Sequence, residues 1–196
     1  PKNIYGVTKS AAENLCELFH RKAGLPCVVL KTSRFFPEAD DDERQRAAFS
    51  DDNIKVNELL FRRADIDDVA TAHLLALENA EQIGFDRLIV TATTPFEPDD
   101  AAELGGDAPA VLARRVPEYA CEYFRRGWRM FPRIGRVYDN ARARRVLNWT
   151  PVHDFAAVLS RLEQGEDYRS ALARSVGAKG YHEQDFIDGP YPVAGF

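Results

Sequence analysis

Tyr5-Gly6-Val7-Thr8-Lys9-Ser10-Ala11-Ala12-Glu13 stands near the start of a 196-residue chain, and how it is read decides the fold. Residues four apart on a helix share a face, with Cβ atoms about 6 Å apart. Tyr5 and Lys9 can therefore point into one site. A phenol is a poor base at neutral pH, but a nearby ammonium favours its ionised form. A tyrosine so placed can take a proton from an alcohol while hydride leaves the same carbon, or return it in the reverse direction. A lysine at the same place can hold a ribose hydroxyl. The pair alone is common by chance, so its surroundings must carry the argument.

Working outward, residues 9–22 read as a helix, with Ala12, Leu15, Cys16 and Phe19 at helical spacing and Leu18 on the flank. Thr8 or Ser10 is the expected cap, Gly24 the stop, and Pro26 follows. Cys27-Val28-Val29-Leu30 is a continuous apolar run, extending towards Ser33, that suits a buried parallel strand. The acid-rich stretch from Phe35 to Asn53 reads as a loop with one short helix. Asp67 and Asp68 suit the N-terminus of a second helix over Val69–Leu77. Arg87–Thr91 reads as a second buried strand, and Asp99 or Asp100 opens a further short helix. Beyond residue 107, Pro109, Pro117, Gly127 and Pro132 divide short helical pieces. Asp139 or Asn140 caps a helix through Leu147, with Trp149 and Pro151 packed at its end. Phe155, Val158, Leu159 and Leu162 mark the last amphipathic helix, and residues 175–196 read as a loose tail.

Two strands are too few for a parallel sheet covered on both faces. The expectation is that absent sequence or a partner completes it.

Composition narrows the function classes. The net charge is −5 and aromatic residues do not interleave with basic ones, which speaks against nucleic acid. Arginine clusters at 114–115, 125–126 and 142–145 read first as solvated helix faces. No apolar run reaches 18 residues, so no membrane span is expected. Cys16, Cys27 and Cys121 have neither zinc nor disulfide-framework spacing. Cys16 and Cys27 read as small buried hydrophobes, and a reducing, cytoplasmic setting fits. The histidines at 20, 73, 153 and 182 lack carboxylates or cysteines at metal-ligand spacing; His73 reads as structural. Tyr119, Tyr123 and Phe124 read as a core stripe, and Arg34 as a partner of the acidic loop that follows it.

Four segments in order, "YGVTKSAAENL" (5–15), "GLPCVVLKTSRFFPE" (24–38), "RRADIDDVATAHLLALE" (62–78) and "VYDNARARRVLNWTP" (137–151), resemble the extended short-chain dehydrogenase/reductases. The likeness is to their NAD-dependent epimerase/dehydratase branch, which includes UDP-glucose 4-epimerase-like proteins, and it spans roughly residues 1–160. It implies an α/β fold: the C-terminal part of a Rossmann-type parallel sheet with a small, mostly helical substrate-binding region. Residues 1–35 and 63–95 would then belong to the sheet domain, 36–62 to a substrate-side loop region, and 96–174 to the substrate-binding region. The resemblance casts Tyr5 as catalytic acid/base and Lys9 as the residue that binds the nicotinamide ribose and tunes the tyrosine. Phe35, Phe36 and Pro37 match the loop bordering the nicotinamide, and Phe36, Asn57 and Arg63 fall where substrate is bound. The cofactor implied is NAD or NADP, and the reaction is hydride transfer at a carbinol carbon of a sugar, sugar nucleotide or polyol, as oxidoreductase, epimerase or dehydratase. A homodimer through the Tyr5–Lys9 helix, using Ala11 and Leu18, is implied as well.

The sequence also departs from that pattern. No Gly-x-x-Gly-x-x-Gly turn precedes Tyr5, so the nucleotide-binding half is expected to be missing from this chain. Phe36 stands where sugar-nucleotide epimerases usually carry Asn, and Phe61-Arg62-Arg63 replaces their Arg-Asp-Phe. Both weigh against a UDP-sugar and leave a smaller polyol, sugar or hydroxyacid-like substrate as an equal alternative. The alternative is a catalytically incomplete module that keeps the scaffold for structure or interaction.

Overall fold

The computed structural model describes residues 1, 3–40 and 42–176. The tail read at 175–196 lies almost wholly outside them. The chain forms an α/β structure around a two-stranded parallel sheet. Helix α1 (Ile4–Ala23) leads into β1 (Cys27–Thr32). Helices α2 (Glu43–Ala48), α3 (Asp51–Leu59), α4 (Ile66–Glu78) and α5 (Ala80–Ile83) then connect to β2 (Phe85–Val90). The rest is helical: α6 (Ala101–Leu104), α7 (Ala108–Arg115), α8 (Tyr119–Arg126), α9 (Ala141–Leu147), α10 (Phe155–Glu163) and α11 (Ala171–Val176).

β1 and β2 pair in register from Cys27 opposite Phe85 to Thr32 opposite Val90. Beyond them the strands splay and residues 62–64 insert between their ends. Arg34 N–H donates to the Arg62 carbonyl (3.1 Å), Ala64 N–H to Arg34 (2.9 Å) and Ala92 N–H to Arg63 (3.0 Å). Through this insertion Arg63 arrives beside the loop that leaves β1.

The two faces of the sheet differ in chemistry because side chains alternate along a strand. Val28, Leu30, Leu88 and Val90 pack with Val69, Ala72 and Ala76 of α4, Ala143 and Leu147 of α9, and Trp149. Trp149 is buried in that core, as expected at the exit of α9. The other face meets α1. There Lys31 pairs with Glu13 (3.0 Å), Arg87 pairs with Glu17 (2.8 Å), and the Phe85 ring stacks on His20 at 5.9 Å.

This face corrects the reading of α1. The residues turned towards the sheet are Glu13, Cys16, Glu17 and His20, all half-buried, and no residue of α1 is buried. Leu15, Leu18 and Phe19 are exposed, as are Ile4 and Val7. The observed stripe is the expected one rotated by a single residue, about 100°. Charged groups on the sheet draw the glutamates inward. The cap also differs: Asn3 accepts from Gly6 N–H (2.9 Å), so the helix starts at Ile4 and Tyr5 lies in its first turn. Gly24 ends it in the left-handed region at φ 65°, as expected.

A second core lies among α3, α6, α7, α8 and α10, with Ile54, Leu60, Leu112, Tyr123, Phe131, Phe155 and Leu162 at its centre. The acidic segment holds two helices rather than one, begun by Asp42 and Ser50 as caps. In α3 every residue from Asn53 to Leu59 is buried, including polar ones. Glu58 is fully buried and takes Arg34 (3.1 Å), Arg62 (2.8 Å) and Arg63 (2.8 Å). Arg34 also pairs with Asp40 of the acidic loop. Of the aromatic stripe, Tyr123 is buried and Tyr119 partly so, while Phe124 faces solvent.

At the start of α4 the cap is Asp65, which accepts from Asp67 N–H (2.9 Å). Asp68 is buried and accepts the N–H groups of Val152 (2.8 Å) and His153 (3.0 Å), tying α4 to the start of α10. Burial holds its carboxyl above the usual range despite those two bonds.

Candidate functional site

The residues singled out from sequence fall in three places. Tyr5 and Lys9 line an open groove of about 830 Å³ between α1 and the sheet. Its other walls include Glu13 and Cys16 of α1, Lys31 and Thr32 at the end of β1, Ile89 of β2, and Arg136 with Tyr138. Lys9 Nζ lies 5.4 Å from the Tyr5 ring centroid. The shared face predicted from i, i+4 spacing is therefore present, and both side chains are exposed to the groove. The groove reaches the carboxyl end of β1, where ligands bind in open α/β sheets.

Phe35, Phe36, Pro37 and Arg63 gather elsewhere, around a smaller pocket of about 150 Å³ that also touches Lys55, Asp65, His153 and Tyr168. The Phe35 and Phe36 rings lie 4.3 Å apart. Arg63 donates to the Phe36 carbonyl (2.9 Å) and Lys55 to that of Pro37, fixing the loop that leaves β1. Arg63 is itself nearly buried and held by Glu58.

Asn57 is in neither place. It is fully buried, its amide donates to the Arg129 carbonyl (3.0 Å), and its carbonyl accepts from the Tyr123 hydroxyl (2.8 Å). The role expected for it in substrate binding is corrected to a structural one. Its polar atoms are spent tying α3 to α8 and the loop after it.

Sequence reading missed Arg136 and Tyr138 as walls of the Tyr5–Lys9 groove. Tyr138 sits in the quoted segment 137–151, which was read only for the helix it leads into, and Arg136 stands just before it. No spacing rule connects them to Tyr5.

Other suspected groups have plain structural duties. Arg114 and Arg115 pair with Asp100, and Arg125 and Arg126 with buried Glu122. Arg115, first among its partners, holds the Asp100 carboxyl down at about 2. His73 is exposed and its Nδ1 donates to the Val69 carbonyl (2.8 Å). Cys16 and Cys27 are half-buried neighbours; burial and then Cys16 push the Cys27 thiol up. Among the described residues no histidine, cysteine and carboxylate cluster has a metal-binding arrangement, and no helix is long and apolar enough to cross a membrane.

No protein-family model, curated protein or solved structure matches the chain.

Proposed function

We propose that the Tyr5–Lys9 groove is the acid/base end of a nicotinamide-dependent oxidoreductase or epimerase site. Tyr5 takes the proton of a substrate hydroxyl as hydride passes to NAD or NADP, and returns it in the reverse direction. Lys9 holds the nicotinamide ribose. The substrate is the alcohol of a sugar, sugar nucleotide, polyol or hydroxyacid. The observation that carries this reading is the placement of Lys9 over the Tyr5 ring, with both open to a groove at the end of β1.

The groove supplies one wall of a dinucleotide site. Among the described residues β1 pairs only with β2, and its free edge is where further polypeptide would extend the sheet and supply the other wall. The exposed stripe Ile4, Val7, Leu15 and Leu18 on α1 supports a second copy of the chain as the partner for that helix. The same stripe favours the competing reading, an interaction module without chemistry.

Turnover of an alcohol substrate with NAD or NADP separates the two. Tyr5→Phe removes only the hydroxyl from an exposed ring, so the fold should persist. Its expected effect is a rate loss of about 10²–10⁴-fold with an unchanged melting curve. Full turnover by the variant would exclude Tyr5 as the acid/base.

A further inference from the structure

We infer that the substrate taken into this groove is an anion, a carboxylate or phosphate ester, and that Arg136 holds its charged group. The inference rests on Tyr5 being the acid/base of the site.

The charges lining the groove are unbalanced. Lys31 and Glu13 form an ion pair at 3.0 Å, and Glu13 also reaches Arg87 at 3.3 Å. Two cations remain. Lys9 has the Tyr5 ring beneath it. Arg136 lies over the Tyr138 ring at 5.8 Å and its NH1 donates weakly to the Tyr138 hydroxyl at 3.4 Å. Among the described residues neither has a carboxylate at ion-pair distance. Arg114, Arg115, Arg125, Arg126 and Arg142 differ, each meeting an acidic partner.

Two uncompensated cations beside two phenols give the groove a positive field that concentrates anions. A guanidinium takes a carboxylate or phosphate through two parallel hydrogen bonds. Arg136 belongs to the loop before α9 and Lys9 to α1, so the two cations enter from different walls. A ligand spanning them can place its alcohol at Tyr5 while its anionic end rests on Arg136. A neutral polyol would leave that guanidinium without a charged partner.

The same cation could instead meet a phosphate of the dinucleotide, and the test separates the two sources. The ¹⁵N-labelled protein is titrated with inorganic phosphate, glycolate and glycerol while arginine Nε–H and backbone amide signals are followed. Phosphate and glycolate should shift Arg136 and Tyr138, and glycerol should not. Arg136→Gln should weaken phosphate binding by about tenfold or more, equivalent to the loss of one charged contact. Arg44→Gln, on a separate exposed surface, should leave it unchanged. Equal affinity in Arg136→Gln, or shifts centred on Arg44, would overturn the inference. Repeating the titration with NADH present completes it: phosphate bound together with NADH supports a substrate site, and phosphate displaced by NADH overturns it in favour of the cofactor. Arg136-dependent phosphate binding by a protein that takes up no NADH would instead sink the oxidoreductase reading and leave the anion site standing.

Discussion

Asn57 is the residue at which sequence order and spatial role part most sharply. It lies between Phe36 and Arg63 in the chain, within the stretch read as facing substrate. In the structure it is sealed, with both halves of its amide in use. Asn57→Ala would remove two buried hydrogen bonds, leave the Arg129 carbonyl and Tyr123 hydroxyl without partners, and open a small void. The expected cost is about 2–4 kcal/mol of stability, read as a lower midpoint in urea unfolding. A midpoint within error of the parent protein would return Asn57 to the list of ligand contacts. Tyr5 and Lys9 were legible because their relation is local: four residues on one helix decide it. Arg136 and Tyr138 were not, because only the tertiary fold carries them to that groove.

At the scale of elements, the strands were legible and α1 only half so. Cys27–Leu30 is a continuous apolar run and Arg87–Thr91 encloses a shorter one, Leu88–Val90; the burial expected of both is met only at Leu88 and Val90 of β2, while β1 is half-buried. For α1 the period was plain but the phase was not. Ala12, Leu15, Cys16, Phe19 and Glu13, Cys16, Glu17, His20 are equally helical stripes, and the charged sheet face chose the second. Helix α3 escaped notice because its buried face includes Asn53, Lys55, Asn57 and Glu58, which no hydrophobic pattern announces.

The chosen phase makes the attachment of α1 electrostatic. The hydrogen bond from Arg87 holds the Glu17 carboxyl below its ordinary value of 4.5; burial opposes it, and the charges of Arg21 and Arg87 add to the lowering. A carboxyl depressed in the folded state lends its stabilisation fully above that ordinary value. The contribution is lost as pH falls through the depressed one. Hydrogen-exchange protection factors of α1 should therefore decline on acidification below about pH 4.5. In Arg87→Ala they should already be low at pH 6 and nearly flat below it. Parental protection in that variant would mean that the ion pairs do not hold the helix.

Among the described residues the molecule combines a helical core with a two-stranded sheet and a helix, α1, whose apolar side faces outward. Each core closes on itself: α3 with α7, α8 and α10, and the inner sheet face with α4 and α9. The surface bearing Tyr5 and Lys9 does not close. Among the described residues the sheet has two strands and α1 carries an exposed apolar stripe, and on these rests the proposal that more polypeptide adds to the β1 edge and a second copy to α1. The small number of strands was legible from the sequence. The division of the Phe35–Pro37 loop from the Tyr5 groove was not, because it depends on residues 62–64 entering between the strand ends. The central claim, that Tyr5 and Lys9 serve a nicotinamide cofactor, is tested most directly on the protein isolated from its native cells. Its reduced-nicotinamide fluorescence is followed during titration with NADH and NADPH. Saturable binding of one of them, weakened about tenfold by Lys9→Ala (some 1.4 kcal/mol), is the expected result. Failure of both to bind, or equal affinity in Lys9→Ala, would contradict it.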